Sequence, residues 1–393
     1  MQPCGVPRTS ASEQHRQPAP SDRALLGEAL VELGFEAGLV AVGIASADIF
    51  AETRANLVER KLEGLNGTMQ FTYRNPERST QPDRILSGAS ALVVGAWGYR
   101  HEEPTPDATG WSSGRPKGSV ARYARSDHYT SLRRALAPMA SLLRSNGWRA
   151  TVVCDDNALV DRAAAHRAGL GWFGKNSLML LPGFGSWFVL GSVVTDAPLR
   201  PRTASSPTPH AQGCGSCTRC LTACPTGALV APGVLDARRC LAWLVQAPGS
   251  IPLEYRRALG ARVYGCDECQ QVCPINKAAD RRNPPPPPGV DCEPSVDLLD
   301  LLAATDDELM ANHGRWYVPD RDPRYLRRNA LVALGNVGRG DDPATEQALR
   351  HWSSVDDPMV AEHARWAALE LGRPDILEPR RPTEPVRPGE SAP

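Results

Sequence analysis

Eight of the eleven cysteines lie between Cys214 and Cys273, in runs whose spacing suits metal chemistry. The first run is Cys214-x2-Cys217-x2-Cys220-x3-Cys224-Pro225, and the second is Cys266-x2-Cys269-x3-Cys273-Pro274. Three thiolates at such intervals wrap one [4Fe–4S] cluster, while the fourth cysteine of the run reaches a second cluster. The pattern therefore predicts a ferredoxin-like segment that carries two [4Fe–4S] clusters.

The second run contains only three cysteines, and Cys240 is the one cysteine left between the two runs. Pseudo-symmetry then predicts two ligand sets. Cluster one takes Cys214, Cys217, Cys220 and Cys273, and cluster two takes Cys224, Cys240, Cys266 and Cys269. A pair of structural zinc sites is the alternative, because CxxC pairs also suit tetrahedral zinc. Zinc has no need of the two x3-Cys-Pro endings, so the spacing favours iron and sulfur.

The composition excludes several classes of protein. The 393 residues carry 44 basic and 44 acidic side chains, so no global basic field indicates nucleic-acid binding. No run of about 18 apolar residues predicts a membrane span. Residues 1–23 lack the apolar stretch of a secretory signal and a twin-arginine pair. We therefore expect a cytoplasmic protein without membrane association, in which crowded cysteines bind metal rather than form disulfides.

The elements that must position the cysteines follow from apolar periodicity. After a disordered tail over residues 1–20, helical and strand patterns alternate and predict a layered α/β domain over 21–200 with a mixed sheet. The predicted strands are Leu39–Ile44, Ala89–Trp97, Ala150–Cys154 and Trp187–Val194. The predicted helices are one that ends before Gly34, then Leu132–Leu143 and Ala158–Ala168.

The second half of the chain divides at proline-rich stretches. The ferredoxin-type segment is predicted over 208–282, and the run Pro284–Pro288 predicts an extended spacer. Asn329–Gly338 can be laid over His363–Gly372, which predicts HEAT-like α-helical repeats over 295–376. Residues 377–393 are predicted to be a flexible tail. The fold class is therefore multidomain, with α/β and α+β parts.

Two further segments carry polar residues where chemistry is possible. Asp155, Asp156 and Asn157 precede the predicted helix Ala158–Ala168, so Asp155 is either a helix N-cap or a proton-donating carboxylic acid. Gly169–Gly174 follows a helix rather than a strand, so it is not a dinucleotide-binding motif. It is either a helix C-cap or a turn whose backbone approaches a ligand.

The segment Asp155–Arg162, followed by Arg167–Asn176, resembles the epoxyqueuosine reductase family. Gly185–Gly191, both cysteine runs and Cys240 also match, so the resemblance covers about residues 22–375. In the family pattern, the aspartate is followed by Ser or Thr, then by Gly or Ala, and then by Pro. This chain has Asp156, Asn157 and Ala158 at those positions, and it also departs from the family pattern at His128, Thr130 and Ala242.

The resemblance implies a cobalamin-dependent iron–sulfur reductase that converts epoxyqueuosine to queuosine at the wobble position of tRNA. This is the last step of queuosine biosynthesis. It implies that Asp155 is the proton donor. It also implies that cobalamin is contacted by Asp155, Arg78, Lys175, Asn176 and Ser186. The implied partners are tRNAs with a GUN anticodon (Asp, Asn, His and Tyr types) and an external low-potential electron donor, and a monomer is expected.

Basic residues near the repeats favour an RNA-binding surface. The arginines are Arg315, Arg321, Arg324, Arg327, Arg328 and Arg339, with Trp316 and Tyr317 available to stack on bases. A solvated helix face is the alternative.

Two alternative functions remain. Reductive dehalogenases share the cobalamin and cluster chemistry, but they usually carry a twin-arginine signal and lack such repeats. A protein of another class would be an electron-transfer ferredoxin, or an RNA-binding protein stabilised by clusters. Stoichiometric cobalt would favour either enzyme.

Overall fold

The computed structural model describes residues 20–102, 114–201, 213–287 and 292–377. Residues 1–19, 103–113, 202–212, 288–291 and 378–393 lie outside the described residues, and these include nearly all of both predicted tails. The strands are β1 (Ala41–Ser46), β2 (Ala91–Gly98), β3 (Lys117–Val120), β4 (Ala150–Cys154), β5 (Trp172–Phe173), β6 (Met179–Leu180), β7 (Phe188–Thr195), β8 (Leu229–Ala231), β9 (Val234–Leu235), β10 (Arg262–Tyr264) and β11 (Ser295–Asp297).

The helices before the C-terminal region are α1 (Pro20–Glu36), α2 (Ala51–Leu62), α3 (Pro76–Ser79), α4 (His128–Ser145), α5 (Asp161–Arg167), α6 (Arg219–Ala223), α7 (Leu241–Leu244), α8 (Leu253–Leu259), α9 (Glu268–Gln271) and α10 (Pro274–Arg282). The C-terminal helices are α11 (Leu298–Ala303), α12 (Asp306–His313), α13 (Arg324–Val337), α14 (Pro343–Ser353) and α15 (Pro358–Glu370). Short 3₁₀ turns occupy Pro82–Arg84, Arg122–Ala124, Pro319–Arg321 and Pro374–Leu377.

The central sheet has the order β1-β2-β7-β4, and each neighbouring pair is antiparallel. The prediction of a mixed sheet is therefore wrong for this sheet. All eight residues of β7 are buried, because helices cover both faces of the sheet. α1 and α4 pack with Val93 and Val193 on one face, whereas α5 packs with Val94 and Val194 on the other.

The predicted helix and strand bounds are confirmed in places and wrong in others. Strand β4 has the predicted bounds. Gly34 lies inside α1, and the left-handed residue after that helix is Gly38, with φ of 91°. Helix α5 begins at Asp161 instead of Ala158, because an Asx turn precedes it.

Helix α5 ends in a Schellman motif, and this explains one glycine of the Gly169–Gly174 segment. Gly169 has φ of 71°, and its amide bonds the carbonyl of His166, while the amide of Leu170 bonds that of Ala165. A Cβ at Gly171 would lie 2.0 Å from the carbonyl oxygen of Leu180 in the β5–β6 hairpin. These contacts agree with the helix C-cap interpretation of the glycine-rich turn.

A second sheet joins three distant parts of the chain. It has the order β10-β3-β11, in which β3 pairs parallel with β10 and antiparallel with β11. The predicted domains 21–200, 208–282 and 295–376 each contribute one strand. Their boundaries stay predictions, but this sheet ties the three segments together. Helices α13 and α15 pack against each other through small buried residues that include Ala330 and Ala364.

None of the described helices is long and apolar enough to cross a membrane.

Candidate cluster and catalytic site

The eight cysteines form two neighbouring groups of free thiols. In one group, burial and three nearby thiols raise the pKa of Cys220; these thiols belong to Cys214, Cys273 and Cys217. In the other group, burial raises the pKa of Cys240 to about 11, and the thiols of Cys266 and Cys224 add to the shift. Burial raises the pKa of Cys269 well above its ordinary value, and the thiols of Cys266 and Cys240 add to the shift. A smaller contribution comes from Cys220, which belongs to the first group. The nearest thiols of Cys220 and of Cys240 belong to the same sets that pseudo-symmetry predicts, and the ligand assignment itself stays a prediction.

Backbone amides also support cluster-binding thiolates. Burial acts to raise the pKa of Cys224, but the amides of Thr226 and Ala228 outweigh it, so the pKa is lowered. The amide of Ala228 donates to Cys224 Sγ at 3.2 Å. The thiolate is the form that binds metal, and such N–H···S bonds also tune cluster potentials. The local structure therefore fits a cluster ligand at Cys224.

Asp155 follows directly on β4 in a left-handed backbone conformation, with φ of 51°. It does not cap α5, because Val160 occupies the N-cap position and makes no side-chain cap. Asp156 makes the local turn instead, since its Oδ1 accepts a hydrogen bond from the amide of Ala158 at 2.8 Å. The N-cap alternative for Asp155 is therefore wrong, and its carboxyl group is available for another role.

Desolvation raises the pKa of Asp155 from its ordinary value. Solvent still reaches this residue, but protein atoms crowd around its side chain and displace part of the surrounding water. The positive charge of Arg133 opposes the shift, whereas the negative charge of Asp156 adds to it. Arg133 is held nearby by a 3.0 Å hydrogen bond to the carbonyl of Cys154. Asp155 therefore combines solvent access with a carboxyl group that holds its proton more strongly than an ordinary aspartic acid does.

A second carboxyl group, Asp161, lies beside the Asp155 loop. Burial raises its pKa well above the ordinary value, the charge of Asp155 adds to this, and the amide of Asp155 opposes it. Its Oδ1 is buried and has no hydrogen-bond partner among the described residues. Asp161 lies within the Asp155–Arg162 motif, but nothing in the sequence of that motif predicts that its Oδ1 atom is buried.

Two other segments meet the Asp155 loop. The hydroxyl group of Ser79 in α3 donates to the carbonyl of Asn157 at 2.6 Å, and the backbone carbonyl of Ser79 accepts from the amide of Val160 at 3.1 Å. This places the neighbouring, exposed Arg78 beside the loop. Arg162 reaches the carbonyl of Ser177 at 2.8 Å, which joins the loop to the turn that contains Lys175 and Asn176. The sequence offers no signal for Ser79.

Three predicted cofactor residues bond to the cysteine-rich segment. Lys175 Nζ donates to the carbonyl of Gly215 at 2.7 Å, and Asn176 Nδ2 donates to that of Cys269 at 3.4 Å. Ser186 Oγ accepts from Asn276 Nδ2 at 3.0 Å and from Gln270 Nε2 at 3.1 Å. Asn176 and Ser186 are buried. Contact of these residues with cobalamin stays a prediction, and the structure gives them a second role in docking the cysteine-rich segment.

The docking contact centres on Asn276 and Gln270, which sequence reasoning did not single out. Asn276 Oδ1 accepts from the amide of Ser186 at 2.8 Å, and its Nδ2 donates to the carbonyl of Gln270, also at 2.8 Å. Each of these residues is within three positions of a predicted cluster cysteine. The network therefore fixes α9, which contains Cys269, and α10, whose N-cap is Cys273, against the end of the central sheet.

The predicted RNA-binding surface needs correction. Arg328 and Trp316 are 0% and 3% exposed, and Arg327 is also buried. Trp316 donates to the carbonyl of Ala124 at 2.8 Å and stacks on Tyr264. The predicted exposure is wrong for Arg327, Arg328 and Trp316, because each donates to at least one internal carbonyl and Arg327 also pairs with the carboxylate of Asp306. Tyr317, by contrast, is 57% exposed.

A family of 4Fe-4S double cluster binding domains matches residues 213–276. An epoxyqueuosine reductase of Xanthomonas campestris is 34% identical over 91% of this chain and 98% of its own length. The Bacillus subtilis epoxyqueuosine reductase is 33% identical over 90% of this chain and 89% of its own.

The chain belongs to the epoxyqueuosine reductase family.

Solved structures agree with this assignment to the epoxyqueuosine reductases, which are oxidoreductases. A crystal structure of epoxyqueuosine reductase with an epoxyqueuosine-modified tRNA-Tyr stem loop has a TM-score of 0.78 and 31% identity, covering 89% of this chain and 91% of that one. A B. subtilis epoxyqueuosine reductase, with its catalytic aspartate loop swung out of the active site, has a TM-score of 0.76 and 31% identity over 89% of this chain and 91% of its own. The double-cluster match favours iron–sulfur clusters over the zinc alternative.

Proposed function

We propose that this protein reduces the epoxide of epoxyqueuosine to the alkene of queuosine in tRNA, with Asp155 as proton donor. The reaction consumes two electrons and two protons and releases the epoxide oxygen as water. The observation that carries the proposal is the Asp155 loop. It presents an accessible carboxyl group with a raised pKa, in a chain whose cysteines dock against the same domain.

The proposed electron supply consists of two [4Fe–4S] clusters, ligated by Cys214, Cys217, Cys220 and Cys273 and by Cys224, Cys240, Cys266 and Cys269. The proximity of the thiols within each set supports this assignment. An external low-potential donor would reduce the clusters, which transfer single electrons.

Cobalamin is proposed as the group that receives these electrons, on the strength of the family resemblance. When bound, it supplies a strongly reducing cobalt centre. Two features beside Asp155 fit a large polar ligand: the unpartnered, buried Oδ1 of Asp161 and the exposed side chain of Arg78. Within the described residues, the Arg78 side chain makes no hydrogen bond or ion pair, so it remains available to such a ligand.

Asp155 would supply the proton that the leaving oxygen needs. A carboxylic acid with an ordinary pKa is almost fully ionised near neutral pH, so desolvation of Asp155 increases the fraction that can donate. The left-handed turn directs Asp155 away from the start of α5, while Ser79 and Arg162 fix the rest of the loop.

The substrate RNA is proposed from the relative solved with a modified tRNA-Tyr stem loop. We expect tRNAs of the GUN-anticodon types as substrates and a cytoplasmic monomer as the working form. Tyr317, Arg324 and Arg339 remain candidates for contact, since all three are exposed or partly exposed. Arg324 and Arg339 form exposed ion pairs, which contribute little to stability, so phosphate can replace the carboxylates.

The decisive experiment incubates reconstituted protein with cobalamin, a low-potential reductant and an epoxyqueuosine-containing tRNA-Tyr stem loop. Nucleoside mass spectrometry should show queuosine. Asp155→Asn should keep its iron and cobalt but lose turnover by about 100-fold or more, because general acids contribute roughly that much.

Asp156→Asn is the loop control, since an asparagine Oδ1 can still accept from the amide of Ala158. It should retain far more activity than Asp155→Asn. Failure of the wild-type protein to form queuosine would overturn the proposed function. Wild-type turnover by Asp155→Asn would overturn only the role of the aspartate.

A further inference from the structure

Helix α13 buries polar side chains against the chain segment that connects Cys240 to Cys266. This segment holds α7, α8 and β10. Arg328 and Asn329 lie at its centre, and both are 0% exposed. Their partners are backbone carbonyls of the connecting segment, so the C-terminal helices form one wall of the region between two predicted ligands of cluster two.

Arg328 binds the carbonyls that follow α7. Its guanidinium donates to the carbonyl of Ala247 at 2.7 Å, to that of Leu244 at 3.1 Å and, in a shorter contact, to that of Gly249. Helix α7 has only four residues and begins at its N-cap, Cys240. The last carbonyls of a helix have no partner within it, so Arg328 supplies the donors that α7 lacks.

A buried guanidinium in this position carries its charge without a carboxylate partner among the described residues. Burial lowers the pKa of Arg328 to about 9, which still leaves it protonated at neutral pH. Asn329 Oδ1 at 2.9 Å, the backbone carbonyls and the ring of Tyr325, whose centroid lies 5.0 Å from the guanidinium carbon, compensate the charge. Burying a cation without a carboxylate partner costs free energy unless its other partners are held in place. The segment after Cys240 is therefore held in one arrangement.

Asn329 connects the two ends of the segment. Its Nδ2 donates to the carbonyl of Val245 at 2.8 Å and to that of Val263 at 3.1 Å. Val245 lies five positions after Cys240, and Val263 lies three positions before Cys266. One amide group therefore sets the separation of the two chain ends that carry these cysteines.

The same helices hold the middle of the segment at two more points. Asn336 Nδ2 donates to the carbonyls of Arg256 and Gly260 at 2.7 and 3.1 Å. Arg256 forms a two-pronged ion pair with Glu362 of α15, with both contacts at 2.8 Å.

We infer that Arg328 and Asn329 are positioning residues for the second cluster, because they fix the backbone that presents Cys240 and Cys266. This inference rests on the proposed ligand set of that cluster. The C-terminal helices then stabilise the binding site of the second cluster, in addition to any contact that they make with RNA. The cysteines of cluster one lie outside the segment that α13 holds, so cluster one should form independently of this contact.

The test uses the full-length protein with reconstituted clusters and no RNA. In Arg328→Met, iron and sulfide should each fall from about eight to about four per chain, since one of two four-iron clusters is lost. The electron paramagnetic resonance spectrum of the reduced protein should change from that of two interacting clusters to that of one. Arg328→Lys keeps the positive charge but loses the planar set of guanidinium N–H donors. Its iron and sulfide content should lie between those of the wild-type protein and Arg328→Met.

Arg365→Met on α15 is the control, because among the described residues the only hydrogen bond of this exposed side chain is to the carbonyl of Ser353. It should keep both clusters. If Arg328→Met does not accumulate as folded protein, Asn329→Ala carries the test, and the midpoint potential of one cluster should shift while the other stays constant.

Folded variants with wild-type iron content, spectra and potentials would overturn the inference and leave the proposed function intact. A wild-type protein that binds only one cluster would instead overturn the proposed ligand assignment.

Discussion

At the scale of single residues, the backbone at Asp155 turns into the left-handed region directly after β4. Non-glycine residues pay for this conformation, which occurs mostly where the surrounding structure enforces it. Here Ser79 and Arg162 hold the loop from two sides. The conformation lets the carboxyl group of Asp155 stay accessible, although Cys154 directly before it is buried.

Arg133 sets the acidity of this carboxyl group. Its positive charge favours the ionised form of Asp155, so Arg133→Met should raise the pKa of Asp155 further. A protonated donor is active below its pKa and fails above it. The high-pH limb of turnover should therefore move to higher pH in the variant, which a pH–rate profile measures.

Arg134→Met provides the matched control for this prediction. Arg134 is the next residue of α4 and is exposed, and it does not act on Asp155. Its pH–rate profile should superimpose on that of the wild-type protein. If the high-pH decrease of turnover is not shifted in Arg133→Met, Asp155 is not the group whose ionisation causes that decrease.

Single residues also show what sequence can predict. Cysteine spacing restricts which thiols can share a cluster, so the sequence predicts two ligand sets, and the neighbouring thiols of Cys220 and Cys240 agree with that prediction. The type of a residue does not show whether its side chain is buried, and the prediction that Arg328 and Trp316 lie on an RNA-binding surface is therefore wrong. Whether an arginine faces solvent or a set of internal carbonyls depends on contacts with segments far away in the chain.

At the scale of elements, α15 contributes a buried histidine to the wall around α8. His363 Nε2 accepts from the amide of Ile251 at 3.1 Å, while Nδ1 donates to the carbonyl of Met359 at 2.7 Å. This pattern requires the neutral ring. Burial lowers the pKa of His363 to about 4, in agreement with that requirement.

The lowered pKa predicts how stability depends on pH. Above the unfolded pKa of 6.5 both states are neutral, so His363 costs nothing. As pH falls below 6.5, the unfolded chain takes up the proton before the folded protein does, so stability should decrease. Denaturant unfolding at pH 7 and pH 5 should therefore show a larger loss for the wild-type protein than for His363→Gln.

His351→Gln is the control, because His351 is exposed on α14. It should lose as much stability as the wild-type protein between the two pH values. Equal losses in all three proteins would show that acid destabilisation arises elsewhere, for example at the clusters.

The bounds of helices and strands can be predicted where the local sequence determines them. Strand β4 has the predicted bounds because its apolar run is short and ends at charged residues. Helix α5 starts late because Asp156 forms a competing turn with Ala158. The pairing of β3 with β10 and β11 has no local signal, since these partners are separated by most of the cysteine-rich segment.

At the scale of the whole molecule, the contact of Asn276 with Ser186 and Gln270 couples the cysteine-rich segment to the central sheet. Asn276→Ala removes these bonds and leaves buried polar groups without partners. It should lower the free energy of unfolding by about 3 kcal/mol. Hydrogen exchange in residues 213–276 should accelerate more than exchange in β7.

Lys277→Ala on the same helix is the control, because Lys277 is exposed and its side chain forms no hydrogen bond or ion pair within the described part of the chain. It should leave both stability and exchange unchanged. Uniform acceleration across the whole molecule in Asn276→Ala would indicate global destabilisation rather than loosened docking.

The second sheet also constrains the order of events during synthesis. Lys117 of β3 meets Asp297 of β11, 180 positions later. At ribosomal rates of about 5–20 residues per second, the two are synthesised roughly ten to forty seconds apart. Synthesis has passed Cys273, the last of the eight clustered cysteines, before Asp297 can close the sheet. A nascent chain therefore passes through a stage in which every cluster ligand has been made while the shell around it is incomplete.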